Sequence, residues 1–262
     1  MTKCNFITPQ KTGKTRQRVD SLLIRLGLAS SRGRARDLIA AGKVLADGIT
    51  VGKPSKIIHP DANLTITGSI NPWVSRGGLK LAAGLEAFPI IRVAGKVAVD
   101  IGASTGGFTD VLLANGADKV IAVDVGRGQL HERLVSDRRV IVMDGVNARY
   151  LDSAMLPATP EIVVCDASFI SLKKLLPSVL ALAAVDAHLI ALIKPQFEVG
   201  KGLVGKGGVV RDSALQEAVV ADIEAWLKTE MGWQHLGTAP SPIDGPDGNR
   251  EFLIAAKKGG CS

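Results

Sequence analysis

The sequence predicts a small basic α+β module joined to a larger α/β domain built on a parallel sheet, and three observations support this. The excess positive charge lies early: residues 1–70 carry 12 Lys and Arg against 4 Asp and Glu, while the remainder carries 20 against 21. Beyond residue 75, short apolar runs alternate with stretches of helical periodicity, as in strands covered on both faces by helices. Four of those runs, "GKVAVDIG", "KVIAVDVG", "RVIVMDG" and "EIVVCDAS", close on an aspartate: Asp100, Asp124, Asp144 and Asp166.

In chain order, residues 1–17 form a basic tail (Lys3, Lys11, Lys14, Arg16) with no apolar pattern, expected to be disordered. Residues 18–68 form the small module. Val19, Leu22, Leu23 and Leu26 recur at helical spacing up to Gly27. Ser31 suits the N-cap of a second helix, with Ala35, Leu38 and Ile39 on its apolar side and Gly42 as its stop. Arg32 and Arg36, four apart, share one face of it, with Lys43 just past its end. "VLADGITV" then reads as strand, Asp-Gly turn, strand. Arginine forks on a short rigid helix suit phosphate oxygens, so the charge asymmetry points to nucleic acid. Residues 69–75, "SINPWVS", form a linker, and residues 76–262 form the α/β domain.

That domain opens on a helix over "SRGGLKLAAGLEAF", with Leu81, Leu85 and Phe88 as its buried stripe and Lys80 in its first turn. Gly102, Gly106 and Gly107 follow the first clear strand where a helix begins, so backbone can approach a ligand there. Ser104 stands where a dinucleotide fingerprint needs its second glycine, which counts against a nicotinamide oxidoreductase. Asp124, 24 residues after Asp100, suits a ribose diol. Together the four aspartates describe an acidic crevice at the strand ends. Such a crevice opposes phosphate and favours a cationic cofactor carrying ribose and adenine; S-adenosylmethionine fits. The fifth apolar run, residues 189–193, ends on Lys194 and then Pro195, which puts an ammonium group at the mouth of a buried strand. Glu251 opens the last strand, "REFLIAAKK".

The motif "GLASSRGRARDLIAAGKVLADGITVGKPS" resembles the S4 RNA-binding domain over residues 18–66. This resemblance implies docking on structured RNA, with Arg18, Arg32, Arg36 and Lys43 as contacts. Residues 75–258 resemble the FtsJ-type RNA ribose 2′-O-methyltransferases, which implies a Rossmann-like, seven-stranded class I methyltransferase sheet. Their Lys…Asp…Lys…Glu pattern falls on Lys80, Asp166, Lys194 and Glu251, implying a catalytic tetrad. Cofactor-binding positions fall on Gly106, Phe108, Asp124, Asp144 and Asp166, beside Gly102 and Ser104 of the turn. With "KPQFEVGKG" and "VGKGGVVRD", the whole chain beyond the tail resembles the TlyA family, often labelled hemolysin A. The resemblance implies methylation of a cytidine in ribosomal RNA, within ribosomal subunits.

The chemistry gives the tetrad a purpose. A ribose hydroxyl must lose its proton as it attacks a sulfonium methyl. An unperturbed lysine titrates near about 10.4, so it serves as a base only where burial or a second cation disfavours its ammonium form. Lys80 is placed to be that cation for Lys194. Cys165, beside Asp166, would be the nucleophile of a base-methylating enzyme, but within an apolar strand it reads as a small core residue. The three cysteines are widely spaced and the four histidines are scattered, which predicts no metal site and a reducing, cytoplasmic setting. A cytolysin would need a membrane span, a barrel pattern or an amphipathic membrane helix, and none is read. No obligate protein partner is expected. An RNA-binding module with an inactive catalytic domain is disfavoured because all four tetrad positions are filled.

Overall fold

The computed structural model describes residues 16–29, 32–67, 71–205, 207–245 and 248–259. The basic tail up to residue 15, Ser31, Cys4 and Cys261 lie outside these residues. The chain divides into two compact units between Pro72 and Trp73.

The first unit contains β1 (Gln17–Arg18), α1 (Val19–Arg25), α2 (Arg32–Ala40), β2 (Val44–Ala46), β3 (Ile49–Thr50), β4 (Ile57–Ile58) and β5 (Leu64–Ile66). β1 therefore starts on Gln17, inside the segment expected to be tail, and pairs antiparallel with β4. Val19, Leu22 and Leu23 of α1 meet Ala35, Leu38 and Ile39 of α2 over Val44, Ala46 and Leu64 in one small core. Gly27 and Gly42 end the two helices at φ 68° and 66°, a conformation without steric cost only for glycine. Asp47 and Gly48, at φ 51° and 81°, turn β2 into β3, as a two-residue hairpin requires.

The second unit opens with α3 (Gly77–Ala87), β6 (Val97–Ile101), α4 (Gly107–Ala114), β7 (Lys119–Asp124), α5 (Glu132–Val135) and β8 (Val140–Asp144). It continues through β9 (Ile162–Cys165), α6 (Leu172–Leu175), α7 (Pro177–Leu182), β10 (His188–Ile193) and α8 (Pro195–Glu198), and closes with α9 (Ser213–Thr229), β11 (Trp233–Pro240) and β12 (Phe252–Lys258). The seven strands form one sheet in the order β11-β12-β10-β9-β6-β7-β8. β8, β7, β6, β9 and β10 run parallel, and β12 runs antiparallel between β10 and β11.

Alternate residues of each strand feed two cores, one on each face of the sheet. Val99, Ile101, Val163, Ala191 and Ile193 pack under α6, α7 and α9. Ala98, Val164, Ile190 and Leu192 pack under α3 and α4, against Leu81, Phe88 and Leu112. Burial on both faces explains the unbroken apolar run of β10, each large residue of which contributes about 1.5–3 kcal/mol. α9 shows how one helix is fixed: Asp212 caps it through the N–H groups of Ala214 and Leu215, and Val219, Ile223, Trp226 and Leu227 form its buried stripe.

α3 and α4 cross at their first turns through glycine. A Cβ on Gly78 would collide with the Trp73 ring, and one on Gly107 with the Ser75 hydroxyl. The Val74 N–H donates to Asp110 Oδ2 of α4 at 2.9 Å, so residues 73–75 pack within the second unit. Among the described residues, no helix is long and apolar enough to cross a membrane.

Candidate active site

The carboxyl ends of β6, β7 and β9 border a cleft of about 1000 Å³. In a parallel sheet this edge carries the strand-to-helix turns, so it is where side chains from several strands converge. β6 ends at Ile101, and Gly102 follows at φ 79°, where a Cβ would sit 3.0 Å from the Ala167 Cα. Ser104 is also in the left-handed region, at φ 47°. That turn is held by Asp124, whose Oδ2 accepts from the Ser104 N–H at 2.8 Å and whose Oδ1 accepts from the Gly126 N–H at 2.7 Å. Gly102, Ser104, Asp124 and Asp166 all line the cleft.

The other expected cofactor positions lie elsewhere. Asp144 accepts from the Gly128 N–H at 2.7 Å and so fixes the neighbouring loop. Phe108 is 3% exposed, in the core beneath α4. A Cβ on Gly106 would collide with Leu134, so glycine there answers to packing against α5. Asp100 is inside β6 and fully buried, with Oδ2 accepting from the Thr109 N–H at 2.9 Å and the Thr109 hydroxyl at 2.7 Å. Burial pushes its carboxyl up to about 7, the nearby Asp166 and Asp124 carboxylates push the same way, and the Thr109 hydrogen bonds oppose them. Of the four strand-end aspartates, two face the cleft, one ties a loop and one is a buried brace.

Lys80, Asp166, Lys194 and Glu251 come together although they lie far apart in the chain. β9 and β10 are parallel neighbours with Ala191 opposite Cys165, so Asp166 and Lys194 leave the sheet side by side. Lys194 Nζ lies 2.6 Å from Asp166 Oδ1, and donates to the Ser168 hydroxyl at 2.9 Å and the Asp166 carbonyl at 3.3 Å. Lys80, one turn into α3, reaches Glu251 Oε2 at 2.5 Å and Asp166 Oδ2 at 3.8 Å. Asp166 therefore joins two buried ammonium groups, while Glu251 is a carboxylate buried against one of them. A Cβ on Gly245 would strike the Glu251 carboxylate, so the loop before β12 closes tightly over it. Cys165 is fully buried and its thiol is pushed by burial up to about 12, which leaves it no thiolate at neutral pH.

Three lining residues escape a reading of the sequence alone. Ser168 is exposed on the cleft beside Lys194. Phe169, 90% exposed at φ 67°, meets Phe197 in a tilted ring pair with centroids 5.2 Å apart. Glu198 accepts from the Leu172 N–H at 2.9 Å and thereby joins the loop after β10 to the loop after β9. The available signal was the motif Asp166-Ala167-Ser168-Phe169, a hydroxyl and an aromatic just past a strand-ending acid in a chain with 4% aromatic residues.

In the first unit, Arg32 and Arg36 are exposed on α2 and Lys43 is half-buried just before β2. Arg18 instead turns to Asp20, donating to Oδ1 at 3.0 Å and Oδ2 at 2.7 Å; this guanidinium holds the Asp20 carboxyl down to about 2.

A seven-stranded sheet with six strands in one direction and β12 reversed among them, carrying a cleft over its strand ends, defines a methyltransferase of the Rossmann-like class. The chain belongs to the FtsJ-like methyltransferase family, whose pattern matches residues 73–258, and an S4 domain pattern matches residues 17–64. It is 48% identical to the 16S/23S rRNA (cytidine-2′-O)-methyltransferase TlyA of Mycobacterium tuberculosis over 91% of this chain and 89% of that one. It is 38% identical to Hemolysin A of Brachyspira hyodysenteriae over 90% of this chain and 98% of that one. A solved structure from Streptococcus thermophilus, 38% identical, superposes with a TM-score of 0.74 over 94% of this chain and 90% of that chain. Among the described residues, no group of three or more His, Cys, Asp or Glu side chains is arranged to hold a metal ion.

Proposed function

We propose that the chain transfers a methyl group from S-adenosylmethionine to the 2′-hydroxyl of a cytidine in ribosomal RNA, acting on ribosomal subunits in the cytoplasm. The observation that carries this reading is the cluster at the cleft wall, two buried lysines sharing Asp166 with Glu251 closing one side. The cleft residues fit the cofactor: Gly102 leaves room where a Cβ would crowd the Ala167 backbone, and the Asp124 carboxylate offers acceptors to a ribose diol. Gly102, Ser104, Asp124 and Asp166 would hold it, with Gly106, Phe108 and Asp144 shaping the turn around them. Once bound, it supplies an electrophilic sulfonium methyl.

Lys194 takes the proton of the ribose hydroxyl, and the Asp166 carboxylate stabilises the resulting ammonium. Lys80, held by Glu251, anchors the far oxygen of Asp166. Phe169 presents an exposed face on which a nucleobase can stack. Arg32, Arg36 and Lys43 of the S4 domain bind RNA phosphates, and Arg18 shapes that surface through Asp20.

The test uses methylation of ribosomal subunits, read by mass spectrometry. Lys194→Ala should lower the rate about 10²–10⁴-fold while calorimetry shows cofactor binding intact. A substrate with a single 2′-deoxy sugar at the target should bind and accept no methyl. Methylation of that substrate, or a Lys194→Ala rate within a few-fold of the parent, would overturn the assignment.

A further inference from the structure

We propose that Ser168 relays the proton of the substrate hydroxyl to Lys194, so that the buried base is reached through a serine. The inference rests on the ribose methylation proposed above. Lys194 is 5% exposed and, among the described residues, is not part of the cleft lining, whereas Ser168 is exposed and lines it. The two are joined by a 2.9 Å hydrogen bond.

The chemistry of the three acceptors around Nζ singles out the serine. An ammonium has three N–H donors; here the Asp166 carbonyl and the Ser168 hydroxyl accept hydrogen bonds from it, and Asp166 Oδ1 is its ion-pair partner at 2.6 Å. A neutral amine has two N–H donors and a lone pair. A carboxylate and a carbonyl only accept, so neither can face that lone pair. A hydroxyl both donates and accepts, so Ser168 alone among the three can turn and present its proton to Nζ.

The ribose O2′–H proton passes to Ser168 Oγ as the proton of Ser168 passes to the Lys194 amine. The ribose oxygen pair forms the new C–O bond to the methyl carbon. The C–S bond breaks with its pair returning to sulfur, and the sulfonium becomes a neutral thioether. Ser168 ends as a hydroxyl and Lys194 as an ammonium beside Asp166. Proton loss to water by the same route in reverse readies the next turnover.

An isosteric pair tests this at an exposed position. Ser168→Thr keeps the hydroxyl and should stay within about tenfold of the parent kcat. Ser168→Val fills the same volume without it and should lose about 10²-fold or more, with KM for ribosomal subunits and cofactor affinity unchanged. In cofactor-free protein with ¹⁵N-labelled lysine, exchange of the Lys194 Nζ protons with water should slow in the Val variant and not in the Thr variant. The parent enzyme itself should give a bowed dependence of single-turnover rate on deuterium fraction, because two protons move together. Equal rates for the Val and Thr variants, equal Nζ exchange, or a linear deuterium dependence would each overturn the relay. With Lys194→Ala run alongside, an inactive Lys194→Ala beside an active Ser168→Val removes the relay and leaves the ribose reading standing. An active Lys194→Ala removes both.

Discussion

The Lys80–Glu251 pair gives the most quantitative test of how the site is held. Its atoms are 2.5 Å apart, and the two side chains are 8% and 0% exposed. At an effective dielectric of about 20, unit charges at that distance attract by about 7 kcal/mol. Taking both out of water consumes much of that attraction, so the useful quantity is the cost of removing one partner, about 3–5 kcal/mol. In Glu251→Leu the Lys80 ammonium keeps only Asp166, at 3.8 Å, and in Lys80→Met the buried Glu251 carboxylate loses its counter-ion. Each single variant should lose about 3–5 kcal/mol, or about 6–20 °C in the melting temperature of a unit this size. The double variant replaces the pair by apolar groups of similar shape and should recover most of the loss; with about 1 kcal/mol left, the coupling energy is about 5–9 kcal/mol. Urea unfolding of all four proteins measures the cycle, and methylation of ribosomal subunits is followed in parallel. Stability should return in the double variant while activity stays at least about 10²-fold down. Single variants that lose less than about 1 kcal/mol, or a double variant that methylates normally, would refute the reasoning.

Two further outcomes follow from the geometry. Asp100 holds its proton up to about 7 in the folded chain but gives it up near the ordinary 3.8 when unfolded. Between those values the folded state binds more protons, so stability falls as pH rises from about 4 to 7, by up to about 4 kcal/mol. Thermal melts of Asp100→Asn should lack that decline, and parallel pH profiles for the parent and variant would show that Asp100 is not the titrating group. Reversing the charge of the exposed Arg32 and Arg36 should weaken RNA binding and lower its salt slope by about two. Filter binding across a salt series checks this, and an unchanged slope would place the RNA contacts elsewhere.

The fold was legible wherever a residue pattern has a single physical outcome. Residues 189–193 can be apolar without interruption only because helices cover β10 on both faces. Asp47-Gly48 can hardly be other than a hairpin turn. The site was legible where it depends on strand ends, since Asp124, Asp166 and Lys194 all occupy such places. What stayed hidden depends on side-chain direction. Asp100 falls one residue short of the end of β6, and that offset turns it inward to Thr109 instead of outward to the cleft. Phe108 and Gly106 sit in the right turn but serve packing. Arg18 faces a bidentate partner two residues along, which charge counting treats as free positive charge. Ser168 is one of many serines until the Lys194 amine beside it is seen.

The antiparallel setting of β12 bears on when the enzyme becomes competent as well as where its groups lie. In a parallel sheet only residues that follow strands reach the reactive edge; reversing one strand brings there a residue that precedes it, and Glu251 meets Lys80 across a separation of 171 residues. Translation delivers Lys80, Asp166 and Lys194 long before Glu251. A ribosome that has made the chain through Lys194 therefore holds a polypeptide able to pair β6 to β10 but lacking the carboxylate that pairs with Lys80. Under the proposed mechanism, competence arrives with β12, so a chain still attached to the ribosome cannot assemble the full tetrad until Glu251 has been synthesised.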